Sequence, residues 1–253
     1  MLWDFFDKIY IISIPESKRK NELVQNLRNA KIKNYEIIDF QGAKKTQNDG
    51  SELDLSLIDI FKHSFCDSTC KNITNNHLKI IQSARMQNLN NVLIFEDDVE
   101  FPQNLDFEKL SRAIDWLKNN KWDMFYFGYI SFPTPVLIPV NRDITRVYSP
   151  YLAHAYAVNR SGINYITDNV DLFQNNHVDS IYGKLPLKKY GIYPNICFQS
   201  SDPALYKRAM EKVGVNISLK TFTKISEKVC ITIPFLILLF LIYIIYYFVF
   251  RKK

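Results

Sequence analysis

Val92-Leu93-Ile94-Phe95-Glu96-Asp97-Asp98-Val99-Glu100-Phe101 decides how the rest of the chain is read. Four apolar residues run directly into three consecutive carboxylates. An apolar run of this length reads as a strand buried on both faces, and such a strand meets charge only where it surfaces. Adjacent carboxylates repel one another and lose hydration at a buried strand end, so placing three there is costly without a neutralising cation. Side-chain alternation aims Glu96 and Asp98 to one side and Asp97 to the other. In α/β sheets the carboxyl ends of buried strands are where ligands collect. Hard oxygen ligands suit Mg²⁺ or Mn²⁺ shared with substrate phosphates, so the motif points to a divalent-metal and diphosphate site. A plain acidic turn is the alternative for such a triplet; the buried strand leading into it favours the metal site.

Outward from this stretch, the chain alternates between strand and helix patterns. Lys8-Ile9-Tyr10-Ile11-Ile12-Ser13-Ile14 reads as a first strand. Ser13-Ile14-Pro15-Glu16 has capping-box spacing and predicts a helix that buries Leu23, Val24 and Leu27. Tyr35 to Phe40 reads as a second strand closed by Gly42, and the polar stretch from Ala43 to Asp59 as a surface excursion. Thr74 is placed to cap a helix with Leu78, Ile81 and Ala84 on one face. After Pro102 another amphipathic helix turns Leu110, Ile114 and Leu117 inward, and Asp123 to Gly128 forms a further strand. This βαβαβ alternation predicts a mainly parallel sheet with helices on both faces.

Composition narrows the function. The 253 residues are 47% hydrophobic, enough for one sizeable core. Net charge is +6, of which Arg251, Lys252 and Lys253 supply half. There is neither a basic stripe nor an interleaved aromatic platform, which argues against nucleic acid as a partner. Cys66, Cys70, Cys197 and Cys230 are too few and too scattered for a disulfide framework. Cys66 and Cys70 have the spacing of one helical face, but no two further ligands lie near them in sequence to complete a zinc site, so they read as buried thiols.

The two ends differ. Met1 to Asp7 carries two acids and no basic segment, unlike a signal peptide. Cys230 to Phe250 is free of charge, and at 1.5 Å per residue it spans roughly 31 Å, matching a bilayer core of about 30 Å. Pro234 falls in the first turn of this span, and Tyr243, Tyr246 and Tyr247 lie toward its far end, as an interfacial belt would. The expected organisation is a folded domain over 1–215, a Ser/Thr/Lys-rich linker over 216–229, a transmembrane helix over 230–250 and a basic tail over 251–253.

An ordered set of short motifs resembles glycosyltransferase family 25, which includes lipooligosaccharide galactosyltransferases and collagen galactosyltransferases. The set comprises Ile9 to Ile14 with Lys18-Arg19-Lys20, then Ile38-Asp39-Phe40-Gln41-Gly42, His77-Leu78-Lys79-Ile80-Ile81-Gln82 and Phe95-Glu96-Asp97-Asp98-Val99. Trp122 to Gly128, Ala155 to Gly162, Val178-Asp179 and Pro194-Asn195-Ile196-Cys197-Phe198-Gln199 continue it. The resemblance runs from about residue 8 to about residue 201. It implies a GT-A-like fold, a UDP-sugar donor, usually Mn²⁺, and inversion at the anomeric carbon. Carried over by position, Glu96 faces the ribose or sugar, Asp97 the sugar hydroxyls and Asp98 the metal between the phosphates. Ser13, Arg19, Asp39, His77 and Gln199 are the further substrate-binding candidates that it implies. Relatives typically carry Gly-Glu-Ile-Gly-Cys-Ala-Leu-Ser-His where this chain reads Thr69 to His77, so both glycines are replaced.

Inverting transfer needs a base within hydrogen-bond reach of the acceptor hydroxyl. By resemblance Asp179 is the first candidate; a helix N-cap is its alternative reading. His177 and His154 are second candidates, either of which is also placed to complete the metal shell. Three functions are thus to be weighed: a membrane-tethered, metal-dependent glycosyltransferase acting on a glycan or protein hydroxyl; a non-catalytic relative keeping the fold as a binding module; and a metal-dependent nucleotidyl- or phosphotransferase. The third expects a phosphate loop such as GxxxxGK, which is absent. A C-terminal span predicts a tail anchor with the domain in the cytosol. The sequons at Asn72, Asn159 and Asn216 are usable only in a lumen and stand against that orientation.

Overall fold

The computed structural model describes residues 2–40, 66, 68–131, 136–174, 176–202 and 204–250. Gly42, the stretch from Ala43 to Asp59 and the basic tail fall outside them. In chain order the main elements begin with β1 (Lys8–Ser13), α1 (Lys20–Asn29), β2 (Glu36–Asp39), α2 (Ser68–Met86), β3 (Asn91–Glu96) and β4 (Val99–Glu100). Next come α3 (Phe107–Asn119), β5 (Met124–Tyr126), β6 (Ile130–Ser131), β7 (Leu137–Pro139), β8 (Ile144–Val147) and β9 (Pro150–Tyr151). The chain then forms β10 (Ala155–Asn159), α4 (Arg160–Asp168), α5 (Val178–Lys184), β11 (Lys189–Ile192), β12 (Phe198–Gln199), α6 (Ala204–Lys212) and α7 (Leu219–Phe250).

The eight-stranded sheet has the order β2-β1-β3-β10-β5-β11-β8-β7. Following the pairings across it, only β10 and β8 run against the other strands. The sheet is therefore mixed and mostly parallel. Alternation along β3 explains its two-sided burial. Leu93 and Phe95 face a core shared with Trp3, with Leu23 and Leu27 of α1, and with Leu110, Ile114 and Leu117 of α3. Val92 and Ile94 face the opposite core with Leu78 and Ile81 of α2, Ile163 of α4 and Tyr182 of α5. All four β3 residues are fully buried. Each contributes about 2 kcal/mol relative to exposure.

Three local expectations are corrected. α1 starts at Lys20 with Arg19 at its cap and no side-chain cap bond. Ser13 is still extended, pairing with Asp39 in the sheet, so its hydroxyl does not serve as a helix cap. Thr74 lies inside α2, which begins earlier, at Ser68. Its hydroxyl donates to the carbonyl of Asn176 at 2.9 Å instead. Cys66 and Cys70 are joined as a disulfide, with Cα atoms 5.2 Å apart, where thiols were expected. Cys66 precedes α2 and Cys70 lies in its first turn.

The segment expected as a linker is helical from Leu219 onward and continuous with the apolar span. Leu219, Thr223, Glu227 and Cys230 recur at helical spacing and are buried. Lys220 Nζ pairs with Glu100 at 2.6 Å, and Lys220 and Lys224 lie over the Phe198 ring. Pro234 therefore sits within the helix and not in its first turn, removing the bond its amide would give to the Cys230 carbonyl. The large apolar side chains from Phe235 to Tyr243 are exposed, Phe240 by 62%. α7 is long and apolar enough to cross a membrane. An exposed apolar surface of this length requires an apolar surrounding or a covering partner.

Candidate active site

β1, β2 and β3 run parallel, so their carboxyl ends meet at one edge of the sheet. Register then fixes which side chains converge. Ile12 lies beside Glu96, which places Ser13 next to Asp97. Ser13 Oγ donates to Asp97 Oδ2 at 2.8 Å, and Arg19 ion-pairs with Oδ1 of the same carboxylate. Asp97 is only 6% exposed, so this cation supplies the charge compensation that a buried carboxylate requires. Asp39, at the end of β2, is exposed and paired with Lys20 at 2.7 Å.

Glu96 faces the other way. Its carboxylate meets His77 Nε2 at 3.0 Å, and His77 Nδ1 meets the Tyr156 hydroxyl at 2.8 Å. Tyr156 in turn meets Tyr182 at 3.1 Å. A carboxylate only accepts, so the proton of the His77–Glu96 bond is carried by Nε2. His77 is fully buried and satisfied on both nitrogens. It is closed off from solvent and holds the Glu96 carboxylate.

Asp98 is held from a third direction. β12 pairs antiparallel with β4, setting Gln199 beside Val99. Ser201 Oγ donates to Asp98 Oδ2 at 2.9 Å and Gln199 Nε2 to the same oxygen at 3.4 Å, while Ser200 N donates to the Asp98 carbonyl. Asp98 Oδ1 is buried with no donor among the described residues, as is Gln199 Oε1. Burial, then the Glu96 carboxylate, push the Asp98 pKa up to about 7, against the Ser201 hydrogen bond. At neutral pH this carboxyl is poised between its two forms, and a cation would tip it to the charged one.

His154 joins the same edge through β10. Its carbonyl accepts from Glu96 N at 2.9 Å. The ring is buried, its nitrogens make no side-chain hydrogen bond among the described residues, and the Cys197 backbone lies beside it. Burial lowers its pKa to about 4, so it is neutral and able to ligate. A Cβ at Gly128 would overlap this ring and the Cys197 carbonyl, so only glycine lets the segments carrying His154 and Cys197 approach this closely.

Asp98 Oδ1, Gln199 Oε1 and the His154 imidazole are oxygen and nitrogen donors of the kind that suit Mn²⁺ or Mg²⁺. They do not form a ready three-ligand cluster: among the described residues the sole such group is Cys66, Cys70 and His177. One or two protein ligands suffice when phosphates and water complete the shell.

No protein-family model matches the chain, and neither does any curated protein. Among solved structures it is similar to A197 from STIV, with TM-score 0.45 and 12% identity over 77% of this chain and 86% of that one. It is also similar to a glycosyltransferase involved in the glycosylation of the major capsid of PBCV-1, with TM-score 0.35 and 11% identity over 82% of this chain and 100% of that one. A third is mannose-1-phosphate geranyltransferase from Thermus thermophilus, with TM-score 0.38 and 7% identity over 73% of each chain. Similarity at this level carries no argument about chemistry.

Asp179 lies in the first turn of α5, whose N-cap is His177, so it is not the N-cap that its residue type allowed. Its Oδ1 accepts from Ser180 N at 2.8 Å and its Oδ2 reaches Leu152 N at 3.4 Å, two residues before His154. His177 points to a different group, the Cys66–Cys70 pair. Ser201, Tyr156 and Tyr182 escaped the sequence reading because only β-register and helix docking bring them to the acids. A cavity of about 540 Å³ lined by Trp3, Lys8 and Tyr35 opens at the amino ends of β1 and β2, remote from this chemistry.

Proposed function

We propose that the protein is a glycosyltransferase that uses a UDP-sugar and a divalent cation, Mn²⁺ or Mg²⁺. The observation that carries this is Asp98: a buried carboxylate with one oxygen unpartnered among the described residues, beside Glu96 and Asp97, just past the carboxyl end of a buried strand. Asp98 would hold the cation with His154 or Gln199 completing its protein ligands. The cation supplies charge stabilisation for the departing diphosphate. Glu96, fixed by His77, is assigned to the ribose or sugar, and Asp97, fixed by Ser13 and Arg19, to the sugar hydroxyls. Asp39 and Lys20 flank the nucleotide side of the edge.

In the transfer itself, the acceptor hydroxyl oxygen forms a bond to the anomeric carbon from the face opposite the diphosphate. The bond to the diphosphate oxygen breaks, its electron pair stays on UDP, and the acceptor proton passes to Asp179. Galactose or glucose on a glycan or protein hydroxyl is the assigned chemistry. α7 is assigned as a membrane anchor that keeps the docked domain at the membrane surface. The test is a screen of UDP-sugars against the full chain in detergent. Support is Mn²⁺-dependent release of UDP from UDP-galactose or UDP-glucose. Turnover undiminished in EDTA, or none with any UDP-sugar, refutes it.

A further inference from the structure

The cysteine pair forms a second chemical centre, separate from the acids. Cys66 and Cys70 bracket the start of α2, and His177 caps α5 opposite them. One ligand atom from each, two sulfurs and a ring nitrogen, lie within 4.8 Å of one another. Cys70 is buried while Cys66 and His177 are half-buried, which leaves a way in from solvent. Thr74 Oγ1 bonds the Asn176 carbonyl at 2.9 Å, so α2 and the residue before His177 are already fastened together.

We propose that, in the reduced protein, Cys66, Cys70 and His177 bind a thiophilic divalent metal of the Zn²⁺ class, in exclusive alternation with the disulfide. Two thiolates and a neutral imidazole are soft and borderline donors that select Zn²⁺ over the hard cations suited to Asp98. A Zn–S bond of about 2.3 Å places two tetrahedral sulfurs about 3.8 Å apart. Cysteines whose Cα atoms are 5.2 Å apart reach that separation by side-chain rotation once the S–S bond is cleaved. The chemistry balances simply. A phosphine reductant and one water give two thiols and the phosphine oxide; metal binding then releases both thiol protons as the thiolates ligate. Water fills the fourth position, as in three-ligand zinc sites. A reducing compartment favours the dithiol and hence the metal form. The metal would tie the first turn of α2 to the cap of α5, two residues from Asp179.

The probe is Co²⁺, whose thiolate complexes show a sulfur-to-metal charge-transfer band. The full chain in detergent is reduced with a phosphine, freed of excess reductant under inert gas, and titrated. Expected is a band saturating at one Co²⁺ per chain, lost on adding Zn²⁺ and absent from the unreduced protein. Cys70→Ser abolishes it, and Cys66→Ser does so at a half-exposed position, with circular dichroism confirming the fold. His177→Ala weakens Co²⁺ binding by about tenfold or more. Asp98→Asn keeps the band, because oxygen ligands produce none, so this site is read independently of the proposed transferase site. No band in the reduced wild type, an equal band in the disulfide form, or unchanged affinity in His177→Ala overturns the proposal.

Discussion

Replacing Asp98 by Asn separates the cost of a buried charge from its use. The carboxyl has its pKa raised from 3.8 to about 7, chiefly by burial and then by Glu96. A carboxyl raised in the folded state stabilises the fold relative to its charged form below the unfolded value, and that contribution is lost as pH climbs through the folded value. Between pH 4 and pH 7 the metal-free wild type therefore loses on the order of 4 kcal/mol from this group, at about 1.36 kcal/mol per pH unit. The amide that replaces the carboxyl carries no charge at any pH. Its oxygen still accepts from Ser201 and Gln199 on the Oδ2 side. Metal-free Asp98→Asn is thus expected to match the wild type near pH 4 and to exceed it at pH 8. At about 2–4 °C per kcal/mol for a chain of this size, the gain in Tm at pH 8 is about 8–16 °C. Mn²⁺ should raise the wild-type Tm at pH 8 and leave the variant unmoved. Thermal unfolding in detergent, at both pH values with Mn²⁺ or EDTA, reads all four states. A variant less stable than the wild type at pH 8 without metal, or one raised equally by Mn²⁺, refutes the reasoning.

Asp179→Asn should lower sugar transfer by about 10²-fold or more with nucleotide affinity little changed, whereas a purely structural role would cost about 1 kcal/mol and preserve turnover; single-turnover kinetics separate these. Gly128→Ala should destabilise the fold by about 1–3 kcal/mol, because its methyl overlaps the His154 ring and the Cys197 carbonyl; a denaturant melt measures it. Expression in a eukaryotic cell followed by endoglycosidase should leave mobility unchanged for a cytosolic domain. A shift removed by Asn72→Gln or Asn216→Gln would place the domain in the lumen.

Much of this fold is visible along the chain because its signals are local. The apolar run of β3, the inward stripe of Leu110, Ile114 and Leu117, and the uncharged span near the C-terminus each announce themselves within a few residues. What escaped is what depends on distant partners. The reversed direction of β10, and with it the arrival of His154 beside Glu96, is a property of the sheet and not of residues 155–159. The hydroxyl of Ser13 belongs to Asp97 by register, which a capping-box spacing cannot reveal. The start of α7 was hidden by polar composition: Thr223 and Glu227 are buried only because the domain lies against them. Cys66 and Cys70 lacked a visible third ligand because His177 lies more than 100 residues away in sequence.

The most direct measurement of the central claim is calorimetric titration of UDP into the full chain in detergent, with Mn²⁺ and with EDTA, for the wild type and Asp98→Asn. A cation bridging Asp98 and the diphosphate requires UDP binding to the wild type with Mn²⁺, and its loss both in EDTA and in the variant. UDP binding of equal strength in EDTA, or in Asp98→Asn with Mn²⁺ present, would contradict the assignment of Asp98 as the metal-holding residue of a nucleotide-sugar site.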